Sequence, residues 1–171
     1  PLDKAALVGC AVMTGVGAVI NTAKVEVGSS VAVFGLGGVG VSAVQGALLA
    51  NAYPIIAVDI LQNKLDHASL MGATHTVDAS RADVVEEVQR IAPGGLDYAF
   101  EAVGNVDVMA QAYELLHKGG TLVAIGAPPA GHELRILAWT LPLLEKTVRG
   151  SSYGSARPSV DLPMLLDLYK R

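Results

Sequence analysis

Cysteine is almost missing from this chain: Cys10 is the single one among 171 residues. That excludes an internal disulfide and leaves no Cys-x-x-Cys or zinc-finger spacing, so a reducing, cytoplasmic setting is expected. Basic clusters are missing too. The 12 Lys and Arg are outnumbered by 16 Asp and Glu, for a net charge of -4, and without cations gathered on one face there is no footprint for nucleic acid. No apolar run reaches the ~20 residues that cross a bilayer, and no signal peptide is visible, so no membrane partner is expected. Repeats, low-complexity stretches and charge runs are absent as well. The chain starts at Pro1 without a methionine and stops in the helical-looking PMLLDLYKR, so a piece of a longer protein is expected.

What is present is a hydrophobic fraction of 51% and 19 glycines, a balance that suits one α/β unit with buried strands and tight turns. Strands are predicted at 31–34, 55–59, 74–78, 97–102, 121–126 and 147–152. Between them helices are predicted at 38–51, 62–71, 82–92, 105–117 and 136–145, with a leading helix near 4–23 and a trailing one near 159–170. Strand alternating with helix implies right-handed crossovers and a parallel sheet covered on both faces. APGG, KGG and APPAG, beginning at residues 92, 118 and 127, read as loops that punctuate elements.

Gly35-Leu36-Gly37-Gly38-Val39-Gly40 matches G-x-G-x-x-G directly after a buried strand and at the start of a helix. In that context Gly35 takes the tight turn, Gly37 lets the backbone approach a pyrophosphate, and Gly40 lets helix pack on strand. The phosphates would sit on free N–H groups at the helix N-terminus. Asp59, nineteen positions after Gly40 and followed by Ile60, is placed to accept the ribose hydroxyls and to repel a 2′-phosphate, which points to NAD rather than NADP. Lys64 adds a second ribose contact. Gly104 and Gly126 follow the fourth and fifth strands, with Val103, Ile125 and Ala127 facing the ribose or nicotinamide end. These features predict a doubly wound, six-stranded parallel Rossmann sheet of order 3-2-1-4-5-6 with helices on both faces.

LVGCAVMTGVGAVINTAKV, GSSVAVFGLGGVGVSAVQGALLA, IIAVDI, DYAFEAVGN, GGTLVAIGAPP and VRGSSYGS together resemble the coenzyme-binding domain of the medium-chain, zinc-dependent alcohol dehydrogenases. The likeness spans essentially the whole chain and lies nearest the NAD-using branch with the class III enzymes, which oxidise formaldehyde as a thiol adduct. It implies that residues 1–171 are a single NAD-binding domain and that an N-terminal GroES-like catalytic domain lies outside them. It implies that Cys10, in a G-C-x-x-x-T-G-x-G-A setting, is one ligand of a catalytic zinc whose other cysteine and histidine come from the absent domain. Thr14 then stands beside the nicotinamide and Val39 packs on its ring. The implied activity is hydride transfer between an alcohol or aldehyde and NAD, with zinc lowering the pKa of the alcohol oxygen. The 171 residues alone are expected to bind NADH, to be inactive, and to carry Cys10 as a metal-less thiol. Ala11, Val12 and Met13, and the pair Tyr53-Pro54, depart from the commoner family versions.

The alternative is a metal-free or non-catalytic NAD(P)-binding module of the quinone-reductase kind. Cys10 and Asp59 speak against it, because such relatives need no thiolate there and usually prefer NADPH. His67, His75, His117 and His132 share no metal-ligand spacing and read as surface or turn residues. Trp139 reads as packing on the outer face. The strand near 147–152 reads either as a homo-oligomer edge or as an edge blunted by Arg149.

Overall fold

The computed structural model describes residues 6–170. Its six strands are β1 (Val31–Phe34), β2 (Ile55–Asp59), β3 (His75–Asp78), β4 (Leu96–Glu101), β5 (Leu116–Ala124) and β6 (Thr147–Gly150). They form one sheet of order β3-β2-β1-β4-β5-β6, and every pairing is parallel. The helices are α1, in three successive segments (Val8–Val12, Met13–Gly17, Ala18–Ala23), then α2 (Gly38–Leu49), α3 (Gln62–Leu70), α4 (Val84–Ile91), α5 (Val106–Glu114), α6 (Thr140–Leu144) and α7 (Pro158–Tyr169).

Alternation along the central strand sends Val31 and Val33 into one core and Ala32 and Phe34 into the other. The first core is closed by α1, α2 and α3 through Val19, Val44 and Leu65. The second is closed by α4 and α5 through Val88, Met109 and Tyr113. With both faces covered, the strands can be apolar throughout, as VAVF and IIAV are. Strand order reverses between β1 and β4, and a crevice opens at their carboxyl ends.

Several boundaries differ from the expectations. The leading helix is described from residue 6, and the expected residues 4 and 5 lie outside the described part. Its outer segments, Val8–Val12 and Ala18–Ala23, are π-helical around an α-helical centre. The helix expected at 136–145 shrinks to Thr140–Leu144, because Leu134 and Ile136 pack against the second core from an irregular segment of alternating burial. Thr140 anchors that segment: its hydroxyl lies 2.7 Å from Tyr113 Oη and donates to the Leu137 carbonyl at 2.6 Å. Trp139 is 53% exposed and packs less than expected.

KGG is a bulge in β5, not a loop. Leu96 pairs with Leu116 and Tyr98 already with Thr121, so the extra residues are looped out at Gly119, whose φ is +87°. The helix expected to run to 117 accordingly stops at Glu114. At the other end of β5 the backbone leaves the sheet after Ala124, since Ile125 N and Gly126 N both donate to the Glu101 carbonyl, at 2.8 and 2.9 Å.

The amino edge of the sheet carries its own polar staple. Ser30 N and Oγ both donate to Asp97 Oδ2 at 2.7 Å, Asp97 N donates to Ser30 Oγ at 2.9 Å, and His117 Nε2 stands 2.7 Å from Asp97 Oδ1. His117 is therefore half-buried and partnered, unlike exposed His67 and His132. Burial pushes the Asp97 carboxyl up, but the hydrogen bonds from His117 and Ser30 outweigh it and hold it below its ordinary value of 3.8. Among the described residues no helix is long and apolar enough to cross a membrane.

Candidate functional site

The crevice at the carboxyl edge has a volume of about 510 Å³, and Gly35, Gly37, Asp59, Ile60, Lys64 and Val103 are among its lining residues. Gly35 holds φ +87°, which an L side chain resists, and a Cβ there would stand 2.5 Å from Val103 Cγ2. Gly40 presses on the same turn: its Cβ would lie 1.8 Å from the Gly35 carbonyl oxygen. Gly37 is the opposite case, with nothing within 4 Å of where a Cβ would be. It also caps α2 without any side-chain hydrogen bond. The first-turn N–H groups of α2 are thus left to an acceptor from outside, and the helix dipole makes that acceptor an anion. By contrast, Asp83 caps α4 and Asn105 caps α5 through their side chains.

Asp59 closes the other side of the crevice. Its Oδ2 accepts from Leu36 N at 2.7 Å, and its Oδ1 from Ile60 N at 2.8 Å and Leu61 N at 3.1 Å. Lys64 Nζ lies 3.6 Å from Oδ2. Three of the roughly four acceptor sites of a carboxylate are thereby engaged by backbone. Asp59 therefore welds the glycine turn to β2 before any ligand arrives, and keeps one acceptor site with the Lys64 ammonium for a diol. Ile60 and Val103, 63% and 56% exposed, offer apolar rims to a planar ring.

Sequence reasoning missed Glu101, at the end of β4. It is completely buried, and its Oε1 accepts from Val103 N at 2.8 Å, Gly104 N at 2.7 Å and Asn105 N at 3.2 Å. Its Oε2 is buried without a partner. The signal was legible: in DYAFEAVGN an acid ends an apolar strand just as Asp59 does in IIAVDI. Gly104, at φ +82°, and Gly126 seal the loops beside it, since a Cβ on Gly126 would stand 2.1 Å from Gly104 N and one on Gly104 would stand 2.9 Å from the Ala127 carbonyl oxygen. Val103, Gly104, Ile125, Gly126 and Ala127 thus belong to two adjoining loops at one sheet edge, as expected.

Cys10 and Thr14 lie on α1, outside the lining of the crevice but tied to its floor. A Cβ on Gly15 would stand 2.3 Å from the Val39 carbonyl oxygen, and one on Gly38 would stand 3.3 Å from Ala11 Cβ. The thiol of Cys10 is exposed, and Tyr153 Oη donates to the neighbouring Gly9 carbonyl at 2.9 Å. Among the described residues no three His, Cys, Asp or Glu side chains converge on a metal-sized space.

The family model for zinc-binding dehydrogenases matches residues 38–171. The chain belongs to the zinc-binding dehydrogenase family. Within this family it is similar to the alcohol dehydrogenase class-3 of Cereibacter sphaeroides, with 43% identity over 99% of this chain and 47% of that protein. Among solved structures it is similar to an alcohol dehydrogenase zinc-binding domain protein from Burkholderia ambifaria, with a TM-score of 0.96 and 40% identity over 99% of this chain and 46% of that one. It is also similar to a protein of Sinorhizobium meliloti 1021 solved bound to NADP, with a TM-score of 0.79 and 32% identity over 83% of this chain and 42% of that one. The chain spans about half the length of the curated relatives it matches.

Proposed function

We propose that residues 1–171 form the NAD-binding domain of a zinc-dependent alcohol dehydrogenase, which transfers a hydride between an alcohol or aldehyde and NAD(H). The observation that carries this reading is the uncapped N-terminus of α2 over open Gly37, facing a crevice whose far wall ends in Asp59. A dinucleotide fits these residues: its pyrophosphate would replace the missing cap on Gly37, Gly38, Val39 and Gly40, and its adenosine ribose would meet Asp59, Ile60 and Lys64. Its nicotinamide end would run along Val103, Gly104, Ile125, Gly126 and Ala127 toward Val39 and Thr14. When bound, NAD supplies the hydride acceptor, and this chain's share is orientation and charge.

Cys10 contributes one soft sulfur donor for zinc, and the remaining ligands come from outside the described residues. A GroES-like catalytic domain preceding residue 1 would carry them. A reducing, cytoplasmic compartment suits that free thiol. The edge strand β6, with Val148 exposed, is the surface we assign to a homo-oligomer. Arg149 is spent elsewhere, donating from Nη1 to the Thr22 carbonyl at the end of α1 at 2.7 Å. Light scattering at high micromolar concentration tests the edge, and a monomer would sink it.

NADH titration followed by nicotinamide fluorescence tests the main reading. Binding of NADH tighter than NADPH is expected, and Asp59→Ala should weaken NADH while narrowing that gap; equal affinity of the parent for the two would overturn the role of Asp59. A second reading, a metal-free NAD(P)-binding module, is favoured on the cofactor side alone by the relative solved bound to NADP. Metal analysis of the full-length protein and of its Cys10→Ser variant separates the two, because zinc bound by the parent and lost with the substitution supports the first.

A further inference from the structure

Among the described residues, Glu101 is the one buried charged group at the carboxyl edge that the proposed cofactor contacts leave without a task. Its position is central: it pairs in register with Phe34 of β1 on one side and Ala124 of β5 on the other. Packing alone does not account for it. An apolar side chain of similar volume would fill the space without burying a charge, whereas here one carboxylate oxygen is buried with no partner at all.

The other oxygen gives the residue a role. Oε1 collects the N–H groups of three consecutive residues, Val103, Gly104 and Asn105, and so fixes the peptide planes of the turn that leaves β4. The main-chain carbonyl of the same residue collects Ile125 N and Gly126 N. A single residue thereby holds both loops assigned above to the nicotinamide end, and Gly126 closes over its free oxygen, with a virtual Cβ only 2.8 Å from Oε2.

We propose that Glu101 is the positioning residue of the nicotinamide half of the site. It touches no part of the ligand: its carboxyl locks the 102–105 loop, against which Gly126 packs, in the geometry that receives the nicotinamide ribose. The proposal rests on the cofactor reading above. Its signature is selective: disturbing Glu101 loosens the nicotinamide end and leaves the adenosine end, held by Asp59 and α2, as it was.

Titrating the purified protein with NADH and, separately, with AMP reads the two ends independently. Glu101→Gln keeps the shape and one neutral acceptor but places an amide group where nothing accepts its protons. It should weaken NADH about tenfold, the loss expected when hydrogen bonds to a charged acceptor become neutral ones, and should shift the emission of bound NADH toward that of free NADH. AMP affinity should stay within about twofold of the parent. Glu101→Leu, which keeps only the volume, should weaken NADH further at unchanged AMP affinity; if it fails to fold, Glu101→Gln still decides. NADH and AMP weakening together, or NADH binding unaltered in Glu101→Gln, overturns the assignment of Glu101 alone. A parent that binds neither NADH nor AMP overturns the cofactor reading, and this proposal with it.

Discussion

Asp59 and Glu101 occupy matching places on either side of β1, and they solve the same problem in different ways. Each ends a strand, each sits beside a glycine turn, and each accepts three backbone N–H groups. Asp59 divides its donors between both oxygens and reaches the crevice, so it can hold its loop and still meet a ligand. Glu101 takes all three on one oxygen and is sealed from solvent, so its influence passes only through the backbone. The same side-chain chemistry thus gives a contact residue on one half of the sheet and a scaffold residue on the other.

The contrast is broken most severely through the glycines beneath each acid. Gly40→Ala would drive a Cβ to 1.8 Å from the Gly35 oxygen, and Gly126→Ala to 2.1 Å from Gly104 N. Each should cost about 4 kcal/mol of unfolding free energy in urea, and a loss under about 1 kcal/mol in either would show that half of the edge to be pliable. Next, Asp59→Ala strands the N–H groups of Leu36, Ile60 and Leu61. A loss of about 2–3 kcal/mol is expected by the same measurement, alongside the change in cofactor preference.

Smaller still, Asn105→Ala and Asp83→Ala each remove one helix cap and should each cost about 1 kcal/mol. Only Asn105, on the turn that Glu101 locks, should also weaken NADH; a parallel change in Asp83→Ala would erase the distinction between ligand edge and remote helix. The smallest effect belongs to the staple at the opposite edge. The Asp97 carboxyl is held below 3.8 in the folded chain, so its contribution is present above that value and is lost as pH falls through the lower folded one. Because Asp97 and His117 side chains are 39% and 33% exposed, screening limits the contribution to about 1 kcal/mol or less. Thermal melts of Asp97→Asn and parent should converge as the pH is lowered into that range, and an unchanged gap would exclude the staple.

Much of this architecture was legible in the residues. Continuous apolar runs in VAVF and IIAV marked strands buried on two faces, and Gly35 to Gly40 followed by Asp59 marked the crevice, because close approach and charge leave a local trace. The misread parts depend on distant partners. KGG reads as a turn until β4 is beside it and absorbs the extra residues as a bulge. ILAWTLPLLEK has helical spacing throughout, yet Ile136, with Leu134 before it, packs against the core of α4 and α5, and the helix begins only at Thr140. Glu101 was passed over although its side-chain partners are local, the N–H groups of Val103, Gly104 and Asn105; backbone donors leave no mark in residue type.

The seam between α1 and α2 has a mechanical consequence. Gly15 lets α1 meet the first turn of α2 backbone to backbone at Val39, and Gly17 lets it meet the chain at Gly154 in the same way. Cys10, the glycine turn and the start of α2 therefore travel as one body. A side chain at Gly15 would part that body at Val39 and Ala43, and with it change the spacing from the thiol to the turn.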